Sequence, residues 1–150
     1  MVRPVKLEDI PAWLEMAREV EPLFGPMADS EDFRTGIRKV ILEESAFCCE
    51  AGDGTIGGII AIDRKGNEIA WLAVSSSCRG RGIGRLLLET AVRELDPAAE
   101  ILVQTFAAGI TSGTSARALF TGFGFIDAQA AGKNPAGIDT VIMKRHPRRS

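Results

Sequence analysis

The sequence predicts an α/β (α+β) domain in which helices flank a mixed, mostly antiparallel central sheet. Three observations support this fold class. Several segments carry apolar residues at spacings of three and four, which is typical of amphipathic helices. Three strand-like segments follow one another with only short turns between them, which predicts an antiparallel meander. A strand, a helix and a further strand then form a crossover, which gives the sheet its mixed character.

The length and composition are those of one domain. The chain has 150 residues, of which 45% are hydrophobic and 25% are charged. A chain of this size buries a full core without help from metals or disulfides. Because no linker and no internal repeat divides it, we expect a single domain over residues 1–150, with its elements in the order βααβββαβαββ.

The first part of the chain predicts one strand and two helices. Ile10, Trp13 and Ala17 are three and four residues apart, so they mark the buried face of a helix. Ser30 is a candidate N-cap for the next helix, because its hydroxyl can accept a hydrogen bond from the first turn. The predicted elements are a strand over residues 2–5, a helix over 8–20, a loop over 21–29 and a helix after Ser30 that buries Phe33, Ile37, Val40 and Ile41.

The remainder of the chain predicts six strands and two helices. Ile83, Leu87 and Ala91 are four residues apart, which indicates the buried face of a third helix. Thr114 is a candidate N-cap for a short fourth helix. The predicted strands cover residues 46–51, 55–62, 68–74, 100–106, 123–130 and 138–145, and the helices cover 82–95 and 115–121.

Composition excludes several classes of function. The apolar runs, such as residues 59–62, are far shorter than the ~20 residues that a membrane helix needs. The only histidine, His146, leaves few ligands for a metal centre, so no metal is expected. The net charge of −2 argues against a nucleic-acid partner. Residues 144–150 are interpreted as a basic, solvated tail that contains Lys144, Arg145, Arg148 and Arg149.

The cysteines indicate a reducing compartment. Cys48, Cys49 and Cys78 form neither an even disulfide framework nor a CxxC pair. The first residues show no charged and then apolar signal peptide. We therefore expect a cytoplasmic protein without a membrane partner.

A glycine-rich turn within residues 71–88 carries the candidate chemistry, because a strand leads into it and a helix begins at its end. The first N–H groups of a helix lack internal partners, and the helix dipole favours anions there. Arg79, Arg81 and Arg85 add three cations close together. These features predict a phosphate or pyrophosphate cradle. The segment lacks the GxxxxGK[ST] of a P-loop, and Arg85 stands at the third glycine position of a GxGxxG fingerprint.

Three motifs in this region resemble the GNAT superfamily of N-acetyltransferases. Residues 79–84, Arg-Gly-Arg-Gly-Ile-Gly, fit the RxxGxG signature of its acyl-CoA loop. Residues 68–74 resemble the strand that precedes this loop, and residues 116–125 resemble the ARxLYxxxGF helix-to-strand motif. Gly113 stands where the family commonly has an asparagine. The resemblance is close over residues 68–125, and the order of elements follows the family along the remaining chain.

This resemblance implies that acetyl-CoA is the acyl donor and lies in a slot where two neighbouring strands part. Backbone groups of residues 72–74 would pair with the pantetheine amides, and one N–H would polarise the thioester carbonyl. Arg79 and the N–H groups of residues 80–85 would hold the pyrophosphate, whereas Arg117 either faces the cofactor or caps the surface. The implied cofactor-binding residues are Leu72, Ala73, Val74, Arg79, Gly80, Arg81, Gly82, Ile83, Gly84, Arg85, Arg117 and Phe120.

The resemblance also bears on acid–base chemistry. Glu68 stands where histone-type members place a general base, which would accept the proton of the attacking amine. The usual general acid is a tyrosine at the position of Phe120, and the sequence contains no tyrosine. A CoA thiolate is a reasonable leaving group, so catalysis without a dedicated acid is feasible. Nearby groups with a proton to donate are Ser112, Thr114, Ser115 and Cys78.

The implied reaction transfers an acetyl group to a primary amine by direct attack on the thioester. The acceptor is a small-molecule amine, a protein lysine or a protein N-terminus. In the loop over residues 21–29, Phe24 and Met27 are candidates to line the acceptor pocket. The alternative is a loop that packs these two side chains onto the core. Acidic residues that could attract a cationic amine are Glu19, Glu21 and Asp29.

Two other functions are consistent with the sequence. The absent tyrosine is compatible with a catalytically silent acyl-CoA-binding or regulatory domain. The three arginines of the loop are compatible with an interaction module that binds another anion. The resemblance also implies that the last strands can form a homodimer interface. No other feature of the sequence bears on this.

Overall fold

A seven-stranded sheet organises residues 1–147, the part of the chain that this computed structural model describes. The strands are β1 (Val2–Pro4), β2 (Ala46–Glu50), β3 (Ile56–Asp63), β4 (Glu68–Val74), β5 (Ile101–Phe106), β6 (Phe125–Lys133) and β7 (Asp139–Arg145). The helices are α1 (Ile10–Phe24), α2 (Glu31–Leu42), α3 (Ile83–Glu94) and α4 (Thr114–Gly122). Short 3-10 turns cover Leu7–Asp9, Ser76–Cys78 and Thr111–Gly113.

The sheet is mixed and mostly antiparallel, which confirms the predicted fold class and element order. Its strand order is β1-β2-β3-β4-β5-β7-β6. In the described chain, β4 and β5 form the parallel pair, and the other neighbours are antiparallel. The parallel pair follows from the crossover through α3, because a helical connection returns the chain to the same edge of the sheet.

Apolar clusters cover both faces of this sheet. On one face, Ile83 and Leu87 of α3 belong to the same buried cluster as Ile60 of β3. On the other face, Trp13 of α1 and Ile37 of α2 join a second cluster. The first face is called the α3/α4 face below, and the second is called the α1/α2 face.

Helix α1 is longer than predicted. The sequence predicts that it ends at residue 20, but it continues to Phe24 with Pro22 inside it. Pro22 lacks the N–H that would bond to the Arg18 carbonyl, and the helix continues for only two residues beyond it. Gly25, at φ +101°, then ends the helix. The Glu21 carboxylate accepts hydrogen bonds from the backbone N–H groups of Met27 and Ala28 at 2.8 and 2.9 Å, which shapes the shorter loop.

The structure confirms one predicted helix cap and corrects the other. The Ser30 hydroxyl accepts a hydrogen bond from the Phe33 N–H at 3.3 Å at the start of α2. Thr114 is not the cap of α4, because it is the first helical residue and Gly113 precedes it as N-cap. The chain enters α4 through a 3-10 turn, so the helix begins one residue earlier than predicted.

The predicted basic tail is wrong at its first two residues. Lys144 and Arg145 belong to β7, and the Arg145 side chain is buried with its Nε donating to the Phe123 carbonyl at 2.9 Å. Arg148 and Arg149 lie outside the described residues. Among the described helices, none has the length and apolar character to cross a bilayer.

Candidate active site

A slot opens in the middle of the sheet where β4 and β5 part. Over the described residues these strands pair at Glu68 with Leu102 and at Ile69 with Val103. Beyond these pairs, residues 70–74 run along β3 and leave the edge that faces β5 unpaired. An exposed strand edge of this kind offers backbone N–H and C=O groups to an extended ligand. The predicted parting of the two strands is therefore present.

A β-bulge at Ala70 sets which side chains face each side of the slot. Trp71 pairs with Ala61 whereas Ile69 pairs with Ile62, so Ala70 is the extra residue. Ile69 and Leu72 consequently pack on the α3/α4 face, and Trp71 packs on the α1/α2 face. Bulges reorient side chains in this way next to functional sites.

The glycine-rich loop leads directly from β4 into α3. Gly80 and Gly82 both have φ +79°, which L side chains rarely adopt, and Gly82 is the N-cap of α3. A Cβ placed at either glycine would have no described atom within 4 Å. The Arg79 Nε lies 3.5 Å from the Val74 carbonyl at the end of β4. The loop therefore leaves room for an anion above the first N–H groups of α3.

Ile83 and Gly84 of the motif contribute to packing, Ile83 through its side chain and Gly84 through the lack of one. Ile83 is buried, and a Cβ at Gly57 or Gly58 would lie only 2.7 Å from its side-chain carbons. A Cβ at Gly84 would lie 3.3 Å from Leu119, so this glycine brings α3 close to α4. Only the backbone of residues 83 and 84 is available to a ligand at the loop.

The three arginines of the loop point to different partners. Arg81 lines a recess with Asp53 of the β2–β3 turn. The pKa of Asp53 is lowered first by hydrogen bonds from Thr55 and further by the charge of Arg81. The Arg85 Nε donates to Glu89 at 3.3 Å on the exposed face of α3. Arg79 is therefore the arginine next to the slot.

Arg117 and Phe120 of α4 are both engaged within the protein. The Arg117 Nη1 donates to the Phe106 carbonyl at 3.1 Å, and its Nη2 pairs with Asp127 at 2.8 Å. Of the two predicted roles for Arg117, these contacts favour the structural one. Phe120 is buried in the α3/α4 cluster, with its ring centroid 5.6 Å from that of Phe125. A phenyl ring there has no hydroxyl to donate a proton.

Glu68 lies at the closed end of the slot. It pairs with Leu102 on one side and with Asp63 on the other. Its pKa is raised, first because partial burial disfavours the charged form and then because the Asp63 carboxylate repels it. A raised pKa brings a carboxylate closer to the range of an efficient general base.

The alternative proton donors lie in contrasting environments. Cys78 is buried, and its sulfur would be 3.3 Å from a Cβ at Gly57, so its thiol packs into the core. Ser112, Thr114 and Ser115 are exposed at the start of α4.

The α1–α2 loop and the β6–β7 turn meet above the α1/α2 face of the slot. Phe24 stacks on Phe106, the last residue of β5, with ring centroids 5.6 Å apart. The Asn134 Nδ2 donates to the Leu23 carbonyl at 2.8 Å. A Cβ at Gly25 would lie 2.5 Å from the Pro135 side chain, so the two loops are in close contact.

The acids predicted to attract an amine are occupied by protein partners. The Glu19 carboxylate accepts from the Ser76 N–H at 2.6 Å, a hydrogen bond that lowers its pKa. The Glu21 carboxylate holds the loop as described above. The Asp29 Oδ1 lies 3.4 Å from Arg18 Nη2 and 3.7 Å from Arg34 Nη2. These carboxylates organise the loops around the slot.

The family of the chain follows from comparison with known proteins. A family model described as an acetyltransferase (GNAT) domain matches residues 19–146. The chain belongs to the GNAT acetyltransferase family. A search of curated protein sequences finds no match.

Solved structures share the fold of this GNAT protein. The ribosomal-protein-S18-alanine N-acetyltransferase from Escherichia coli is 19% identical, with a TM-score of 0.73 over 100% of this chain and 95% of that chain. An N-acetyltransferase from Staphylococcus aureus Mu50 is 18% identical, with a TM-score of 0.77 over 99% of this chain and 98% of that chain. NAA60 from Arabidopsis thaliana is 14% identical, with a TM-score of 0.72 over 97% of each chain.

The α1/α2 face beside the slot holds an aromatic group, and one contact there could not be predicted from the sequence. Trp71 packs beside Trp13 and Phe33, with ring centroids 5.6 and 6.5 Å away, on the α1/α2 face. The Asn134 contact to α1 joins residues far apart in the chain, so no local pattern could reveal it. Within residues 1–147 no cluster of three or more His, Cys, Asp or Glu side chains could hold a metal ion.

Proposed function

We propose that this GNAT protein is an acetyl-CoA-dependent N-acetyltransferase that acts on a primary amine. The family and the fold support acyl-CoA-dependent N-acetyltransfer in general. The observation that carries the proposal is the slot between β4 and β5, which ends at an open loop with two left-handed glycines. This shape suits an extended chain that carries phosphates at one end.

Different residues of the slot would bind different parts of acetyl-CoA. The unpaired edge of residues 72–74 offers backbone groups to the pantetheine amides, and one N–H would polarise a carbonyl placed in the slot. Arg79 and the N–H groups of residues 80–85 would hold the pyrophosphate. The side chains of Arg81, Arg85, Arg117 and Phe120 have the protein partners described above and contribute less directly.

Glu68 would act as the general base. Acetyl-CoA supplies an acetyl thioester, and attack requires a neutral amine with a free lone pair. Glu68 would accept a proton from the amine nitrogen as the C–N bond forms and the C–S bond breaks. The CoA thiolate leaves without a tyrosine acid, because Phe120 stands at that position and is buried.

The α1/α2 face would receive the acceptor. Phe24 and Met27 lie on this side, where Phe24 stacks on Phe106 and Met27 packs against the α1/α2 cluster. The acceptor is a small-molecule amine, a protein lysine or a protein N-terminus. A cytoplasmic location and a homodimer through the last strands stay predictions.

A catalytically silent acyl-CoA-binding domain is the second candidate. The buried phenyl ring of Phe120 favours it, because the family's usual proton donor is absent. The two candidates share the slot and differ in turnover, so CoA release with a panel of primary amines separates them.

The first test is calorimetric titration of acetyl-CoA. We expect micromolar binding by the wild type and at least a tenfold loss in an Arg79→Ala/Gly82→Asp variant. Hydrogen bonds to charged groups contribute about 1.5–3 kcal/mol each, and the aspartate adds bulk and repulsion at the phosphates. Gly137→Asp is the matched control, since Gly137 also has positive φ and its Cβ position is open among the described residues. Failure of the wild type to bind would contradict the proposal.

A further inference from the structure

Gln104 occupies a distinctive position on β5. It is the first residue of β5 after the last pair with β4, which joins Val103 to Ile69. Val103 packs in the α3/α4 cluster, and the pairing of β5 with β7 is regular. Because successive side chains alternate between faces, Gln104 points to the α1/α2 face. Its side chain is exposed at the place where the slot begins.

A chain of two hydrogen bonds sets the orientation of the Gln104 amide. The Thr140 hydroxyl donates to the Gly132 carbonyl at 2.8 Å. A threonine hydroxyl has one hydrogen, so towards Gln104 it can only accept. The Gln104 Nε2 accordingly donates to Thr140 Oγ1 at 3.0 Å. Thr140 is buried, which holds this arrangement in place.

This arrangement leaves the Gln104 Oε1 as a hydrogen-bond acceptor. In the described part of the chain no donor occupies Oε1, and the side chain is open to solvent. The oxygen is directed away from Thr140, because Nε2 faces that hydroxyl. The β5–β7 pair therefore presents a fixed acceptor beside the closed end of the slot.

Glu68 presents a second acceptor on the same face. Its neighbour Ile69 lies in the α3/α4 cluster, so alternation directs Glu68 to the α1/α2 face. Glu68 pairs with Leu102, two residues before Gln104, which corresponds to about 7 Å along the strand. A primary amine has two N–H hydrogens and one lone pair. Two acceptors so placed could engage both hydrogens and leave the lone pair directed into the slot.

We propose that Gln104 binds the nitrogen of the acceptor amine through Oε1 and that Thr140 is its positioning residue. The inference rests on the proposed acetyltransferase function and extends it to a preference for amines with two N–H hydrogens. An N-methylated amine loses one of these hydrogens and therefore one of the two contacts.

The test uses steady-state kinetics at saturating acetyl-CoA. The amine probes are 2-phenylethylamine, N-methyl-2-phenylethylamine and Nα-acetyl-lysine. The variants are Gln104→Ala, Thr140→Val and Thr140→Ser. Gln129→Ala is the matched control, since Gln129 is the other glutamine and lies exposed on the edge strand β6. Thermal midpoints and the calorimetric Kd of acetyl-CoA verify folding and donor binding.

We expect Gln104→Ala to raise the KM of the primary amines about three- to tenfold. The same variant should lose most of the discrimination against the N-methyl amine, with the Kd of acetyl-CoA unchanged. Thr140→Val should reproduce this effect, because valine has no hydroxyl to fix the amide orientation. Thr140→Ser keeps the hydroxyl and should retain the wild-type KM and discrimination. Gln129→Ala should match the wild type.

Two results would overturn the inference, and they differ from each other. If the wild type acetylates a probe and Gln104→Ala keeps both its KM and its discrimination, Gln104 does not bind the amine and the proposed function stands. If the folded wild type binds acetyl-CoA and acetylates none of the three probes, the proposed function fails for these amines and the inference fails with it.

Discussion

Two carboxyl groups at the closed end of the slot, Glu68 and Asp63, would set the pH response of the proposed reaction. Partial burial and the charge of Asp63 both raise the pKa of Glu68, in that order. A base with a raised pKa becomes active at a higher pH than an ordinary glutamate. The pairing of the two residues across β3 and β4 keeps their charges close together.

We predict that Asp63→Asn lowers the pKa of Glu68, because the repelling charge is removed. Glu68 would then be ionised at lower pH, so the acidic limb of kcat/KM should move to lower pH. The measurement is the pH profile of amine acetylation for the wild type and the variant. Glu68→Gln is the companion variant and should reduce kcat by about 100-fold or more. An acidic limb that stays in place in Asp63→Asn would show that another group is the base.

At the scale of elements, glycines set how closely the helices approach the sheet. Gly113, the N-cap of α4, lies against Phe106 at the end of β5. A Cβ there would be 2.5 Å from the Phe106 Cβ, which cannot move without the strand. The start of α4 has no room for a side chain.

We predict that Gly113→Ala destabilises the fold by about 1–3 kcal/mol through overpacking. The control is Gly36→Ala in the exposed part of α2, where a Cβ has no described neighbour within 4 Å. That substitution should stabilise the protein by about 0.5–1 kcal/mol, because alanine favours the helix. Urea denaturation measures the change in the free energy of unfolding for both variants. Equal effects of the two alanines would refute the packing argument.

At the scale of the whole molecule, the slot separates two parts of the sheet. The strands β1 to β4 form one part and the strands β5 to β7 form the other, and within the described sheet two residue pairs of β4 and β5 join them. A ligand that bonds to both edges of the slot would add contacts between these parts. Donor binding should therefore stabilise the complete fold.

We predict that acetyl-CoA at 100 times its Kd raises the thermal midpoint by about 5–10 °C. Binding to the folded state alone contributes about 2.7 kcal/mol at that concentration, and each kcal/mol shifts Tm by about 2–4 °C in a protein of this size. Thermal unfolding with and without acetyl-CoA measures the shift. At the same concentration the Arg79→Ala/Gly82→Asp variant should shift by about 3–6 °C if its Kd is tenfold weaker, and by less if the loss is greater. A wild type without a shift would contradict binding to the folded state.

The element order, the mixed sheet and the glycine loop could be predicted from the sequence. These depend on local chemistry, such as apolar spacing, a serine cap or glycines before a helix, which short segments carry on their own. The end of α1 was predicted wrongly because Pro22 usually stops a helix, whereas here Gly25 does so.

Which side chains face the slot is set by contacts between strands and helices that are distant in the sequence. The bulge at Ala70, the ion pair of Arg117 with Asp127 and the hydrogen bond of Gln104 to Thr140 each depend on a neighbouring strand or helix. Gln104 and Thr140 are 36 residues apart, and neither lies in a recognisable motif. Strand pairing brings such residues together, so their roles arise from the assembled sheet.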